Sequence, residues 1–131
     1  MRKTNALYAL VIAGLFALMA GCASTPNIAD AKPATIFPKP IEKVQKAAID
    51  ALTVTGCDIK KQEPAYVEGY RPHKIGLLVG SGGETIGVWL TALSSTKTEV
   101  KVETAKSFAG RVGQKDWDEE IIAEMTKSLG K

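Results

Sequence analysis

The chain has 131 residues, is 45% hydrophobic and 24% charged, and carries a formal net charge of +3. One His and two Cys leave little from which to build a metal centre. The near balance of 17 basic and 14 acidic residues, with no dense Lys/Arg run, gives no electrostatic case for nucleic acid.

Arg2 and Lys3 form a short basic start, and residues 6–20, ALYALVIAGLFALMA, follow without a charge. That run is shorter than the roughly 20 apolar residues a spanning helix needs and has the length of a signal-peptide core. The basic end stays on the cytoplasmic side, so the far end is delivered across the inner membrane. The core closes on Leu18-Met19-Ala20-Gly21-Cys22. This resembles the bacterial lipobox, with Met19 where Leu is more usual. Small Ala20 and Gly21 give a signal peptidase access to the backbone. The Cys22 thiol is the nucleophile that takes a diacylglycerol thioether, and its new amino group takes a further acyl chain such as palmitate. Several acyl chains give stable anchoring where one is marginal. Residue 23 is Ala and not Asp, which by resemblance to Gram-negative lipoproteins implies sorting to the outer membrane. The alternative is a secreted protein with Cys22 incidental or disulfide-bonded to Cys57.

Without residues 1–21, 110 residues remain, enough for one domain with one core. Arg2 and Lys3 leave with the signal, so the basic count falls to 15 against 14 acidic residues. Cys57 is then the one thiol left after lipidation, and its place between a helix end and a strand start predicts a buried structural thiol.

Residues 22–37 read as the lipidated Cys and a flexible tether, polar and interrupted by Pro26 and Pro33, with Ile36 and Phe37 able to dock as a first short strand. The domain is expected over 38–131. Pro38-Lys39-Pro40 introduces a helix. Ile41, Val44, Ala48, Ala51 and Leu52 fall at helical steps, and Gly56 stops it. Strands are expected over 57–63, 65–71, 75–79, 85–93 and 98–106, with Gly80-Ser81-Gly82-Gly83 as a hairpin loop. Ile86, Val88, Leu90 and Ala92 share one face. Val100 and Val102 oppose Glu99, Lys101 and Glu103, which predicts a sheet with one wet face. Asp116-Trp117-Asp118-Glu119 has the pattern of a capping box, and Trp117, Ile121, Ile122, Met125 and Leu129 make a terminal amphipathic helix. The fold class is α+β, an antiparallel sheet of four to five strands with two helices on one face.

No catalytic constellation emerges, so the chain is read as no enzyme. Residues 79–84, VGSGGE, match neither a phosphate loop nor a nucleophile elbow. His73 has no Ser and carboxylate at a triad-like spacing. Asp116, Asp118, Glu119 and Glu120 are explained as helix-start acids. No cofactor is expected beyond the covalent lipid on Cys22, and no metal. Tyr66 and Tyr70 share one strand face with Glu68 between them. They form either a contact stripe for a peptide or glycan, or sheet packing under a helix. Trp89 and Trp117 read as core or core edge.

The segment from about 36 to 130 is similar to the repeated α+β domains of BamC, a lipoprotein subunit of the outer-membrane β-barrel assembly machine. The matching features are Ala51-Leu52 with Gly56, Gly87-Val88-Trp89-Leu90, residues 96–104 (TKTEVKVET), and Gly113-Gln114-Lys115-Asp116-Trp117 before the last helix. BamC-type proteins carry two such domains and this chain one. The resemblance implies a non-enzymatic scaffold in envelope assembly or maintenance. The partner surface would be the open sheet face or an edge strand, by strand addition, with Tyr66, Tyr70, Glu99, Lys101 and Glu103 as contacts. The alternative is a module that binds glycan, peptidoglycan or a small ligand through Tyr66, Tyr70 and residues 80–84.

Overall fold

The computed structural model describes residues 25–75, 80–107 and 113–130. The signal-peptide reading, with Met19, Ala20, Gly21 and Cys22, lies outside the described residues, as do 76–79 of the apolar run and 108–112 of the second glycine-containing loop. A 3-10 turn at Ile28–Asp30 leads into β1 (Thr35–Phe37), α1 (Ile41–Val54), β2 (Asp58–Glu63), β3 (Tyr66–Tyr70), β4 (Lys74–Ile75), β5 (Gly80–Ser81), β6 (Thr85–Ser94), β7 (Lys97–Ala105) and α2 (Asp118–Leu129). Five strands form one antiparallel sheet in the order β1-β7-β6-β3-β2, and β4 pairs with β5 separately. The α+β class is as the sequence predicts.

The core lies between the helices and one face of this sheet. α1 contributes Val44, Ala47, Ala48, Ala51 and Leu52, α2 contributes Ile121 and Met125, and the strands contribute Phe37, Val67, Ile86, Val88, Leu90, Val100 and Val102. Small Ala side chains let α1 lie close to the sheet, where Gly69 leaves room for Leu52 and Cys57. A Cβ at Gly69 would lie 2.9 Å from Cys57 Cβ and 3.2 Å from Leu52 Cδ2. Pro40 caps α1 from outside, its carbonyl accepting from Lys43 and Val44. Gly56, at φ 86°, turns the chain out of the helix into β2. Thr98, fully buried on β7, donates its hydroxyl to the Lys39 carbonyl at 2.9 Å and ties the sheet to the start of α1. Cys57 is a buried free thiol, its pKa raised by burial.

Two local expectations are corrected. Gly80-Ser81 is not a hairpin loop: it is strand β5, and the turn falls on Gly82 and Gly83, at φ 97° and 91°. The capping box is absent from the start of α2. Asp116 Oδ1 instead accepts from the Asp118 N–H at 3.0 Å, an Asx turn one step earlier, while Glu119 points to solvent. Thr104 makes the cap from the sheet, accepting from Trp117 N–H at 3.0 Å and donating to Asp118 Oδ1 at 2.6 Å. Part of the segment read as a tether packs on the domain. Thr35–Phe37 pairs with β7, Lys32 reaches Asp116 at 3.1 Å, and Pro26 is buried.

Candidate interaction surface

Alternation along the strands sends one set of side chains to the core and the other to a face that, among the described residues, neither α1 nor α2 covers. The register then brings neighbours together across three strands. Tyr66 on β3 stands opposite Trp89 on β6, which stands opposite Lys101 on β7. In the next row Glu68, Gly87 and Glu103 are aligned, and in the row after that Tyr70, Thr85 and Ala105. Glu99 lies opposite Thr91 at the end of the same face. All five residues singled out from the sequence, Tyr66, Tyr70, Glu99, Lys101 and Glu103, are therefore on this helix-free surface, and each is partly buried. Packing of the tyrosines under a helix is corrected. Trp89 is also on this face and not in the core, whereas Trp117 packs at the core edge.

The Tyr66 and Trp89 rings meet with centroids 5.1 Å apart and planes tilted by 37°. The Tyr66 hydroxyl donates to Glu68 Oε2 at 2.6 Å. Burial first, and then this bond to a carboxylate, raise the Tyr66 pKa, so the phenol stays protonated. Lys60 Nζ sits 5.8 Å from the Tyr70 ring centre.

Gly87 makes a slot between the aromatic rings. A Cβ there would lie 2.7 Å from Pro26 Cβ, 2.9 Å from Trp89 Cη2 and 3.0 Å from Tyr66 Oη. The ring of Pro26 thus occupies the space that a larger residue at 87 would fill. The following N–H, of Asn27, donates to Glu103 Oε2 at 3.0 Å, and the Asn27 side chain accepts from Ala29 N–H at 3.0 Å to start the 3-10 turn. Burial raises the Glu103 pKa, and the Asn27 N–H partly offsets this.

Gly87, Trp89 and Pro26 were not singled out in the sequence as contacts. The signal for the first two was present: if Ile86, Val88 and Leu90 face the core, Gly87 and Trp89 face away. Nothing in the sequence marks Pro26 as more than a chain breaker.

Two further polar clusters lie off this face. Glu84, 1% exposed, meets Arg71 Nη1 at 3.4 Å and accepts from Lys115 N–H at 3.2 Å and Trp117 Nε1–H at 3.3 Å. Arg71 and Lys115 both lie over the Trp117 indole, at 3.9 and 4.2 Å from a ring centre. His73 is exposed and abuts Gly83. Near the α2 start, burial raises the Asp118 pKa against the Thr104 hydroxyl. Asp116 is lowered, because the Asp118 N–H and Lys32 outweigh its own burial. Both clusters lock loops to α2. Among the described residues no group of three or more His, Cys, Asp and Glu is placed to hold a metal. A cavity of about 290 Å³ lies between α2 and β7, beside Lys32, Pro33, Val102 and Ile122, and shares no residue with the aromatic face.

A scan against protein-family models finds no match for this chain, and a search of curated proteins finds none.

Proposed function

We propose that this chain is a lipid-anchored outer-membrane lipoprotein that faces the periplasm and works as a non-catalytic interaction module in envelope assembly or maintenance. Anchoring follows from the basic start, the apolar core and Cys22, and the envelope role from the likeness to BamC domains. The observation that carries the interaction reading is the helix-free sheet face. It presents Tyr66, Trp89, Lys101, Glu99 and Glu103 together, an aromatic centre with charged flanks of both signs. Aromatic anchors ringed by polar groups are the usual make-up of a protein-binding surface.

The experiment is crosslinked affinity capture of the full-length lipidated protein from its own envelope, beside a Cys22→Ala control and a Glu99→Lys/Lys101→Glu double swap. The swap is expected to cut partner recovery roughly tenfold, about 1.4 kcal/mol, with the melting midpoint unchanged, since neither side chain enters the core. Unchanged recovery would remove the partner from this face.

The adjoining Tyr66 and Trp89 rings also favour a second reading, a glycan- or peptidoglycan-binding module. Soluble cell-wall fragments that shift the Trp89 resonances at saturation would support it; no shift rules it out.

A further inference from the structure

The contact that the sequence did not announce is the proline in the aromatic slot. Proline is well suited to such a site. Its fixed φ costs little entropy on binding, its ring presents a flat apolar edge to aromatic side chains, and it lacks an N–H that burial would strand. Here the slot has three parts. Trp89 and Tyr66 supply the walls, Gly87 supplies the floor by having no side chain, and Glu103 accepts the N–H of the residue after the proline. The peptide that lies in it is extended at Asn27, with φ −123° and ψ 122°.

The hold is local. Between Pro26 and β1 the chain makes one 3-10 turn and two solvent-accessible ion pairs, from Lys32 to Asp116 and to Glu119, and exposed pairs contribute little. None of residues 25–34 belongs to the hydrophobic core on the other face of the sheet.

We infer that the Tyr66–Gly87–Trp89–Glu103 slot is a binding site for an extended proline-bearing segment, and that the chain's own Thr25-Pro26-Asn27 is its ligand, held in exchange between a docked and a released state. Position follows from occupancy. With Pro26 seated, three residues separate it from Cys22, four steps with a reach of about 14 Å, so the aromatic face of an anchored molecule is held close to the membrane. With the segment released, the chain from Cys22 to Thr35 spans up to about 45 Å. The slot is then open, and the domain stands away from the bilayer. The inference rests on reading this face as the partner surface. Its test uses no partner, so its failure leaves the charge-swap result standing.

The test uses the chain from residue 22, made soluble by Cys22→Ser. The two indole N–H resonances, from Trp89 and Trp117, report the slot and an internal control. The probe is the synthetic peptide Ala-Ser-Thr-Pro-Asn-Ile-Ala, the chain's own residues 23–29. Pro26→Ala is expected to shift the Trp89 signal and leave that of Trp117, and the added peptide to return it saturably. The unsubstituted chain should need at least tenfold more peptide for the same occupancy, because its own segment competes at a high effective concentration. Gly87→Ala keeps an ordinary strand backbone, since Gly87 is not at positive φ, and fills only the slot. It is expected to release residues 25–30 to proteolysis and to abolish peptide binding. Glu103→Ala, which removes only the acceptor, should weaken binding about fivefold and serves if Gly87→Ala does not fold. The proposal is overturned if Pro26→Ala leaves Trp89 unmoved. It is equally overturned if the peptide fails to restore the signal, or if a peptide with Ala in place of Pro restores it as well.

Discussion

Glu84→Ala is expected to melt roughly 15–30 °C below the unsubstituted domain, a loss of about 3–5 kcal/mol. The carboxylate is fully enclosed and answers three donors at once: the Arg71 guanidinium, the Lys115 N–H and the Trp117 indole N–H. Alanine strands all three. Arg71 keeps its charge with its side chain only 14% exposed, although its Nε still donates to the Thr55 carbonyl at 3.0 Å. Uncompensated buried charge is the costly part of such a break. Glu84→Gln keeps an oxygen for the two neutral donors and should lose less than half as much. Thermal melts of both variants check the ordering. Equal losses would mean that the Arg71 ion pair contributes little and the neutral hydrogen bonds carry the site.

Leu52→Ala should cost about 3 kcal/mol, from lost burial plus the cavity left behind. Leu52 is fully buried, and its Cδ2 lies against the space over Gly69, where the sheet has no side chain to move into the gap. Val54, two residues on and 71% exposed, is the control: Val54→Ala should change stability by less than about 0.5 kcal/mol. Denaturant titration of the pair measures both. A loss at Leu52 no larger than at Val54 would contradict the packing of α1 on β3.

The fold was legible because its signals are periodic. The three- and four-residue spacing from Ile41 to Leu52, the glycine at 56 and the alternation around Val100 and Val102 each fix an element and its inner face. What failed to show was set by contacts distant in sequence. The cap of α2 comes from Thr104, and no local box pattern reports a partner on another strand. Gly80-Ser81 pairs as a strand with β4 while Gly82 and Gly83 take positive φ, and three glycines among four residues do not say which will do so.

The interaction face was half visible. Glu99, Lys101 and Glu103 alternate with core valines and could be placed from the sequence. Tyr66 and Tyr70 were ambiguous because an aromatic suits either side of a sheet. Pro26 was hidden for a different reason. A polar, proline-interrupted stretch has the composition of a linker, and its docking depends on a slot made 61 residues later by the absence of a side chain at Gly87.

The central claim is that the helix-free face is the working surface of an anchored envelope protein. The most direct measurement places a photo-crosslinking amino acid at Lys101 on that face and, separately, at Lys46 on the exposed side of α1, in the full-length protein within its own envelope. A discrete protein adduct is expected from position 101, lost when Cys22 is replaced by Ala, and none from position 46. An adduct from position 46 alone, or one from position 101 that persists without Cys22, would contradict it.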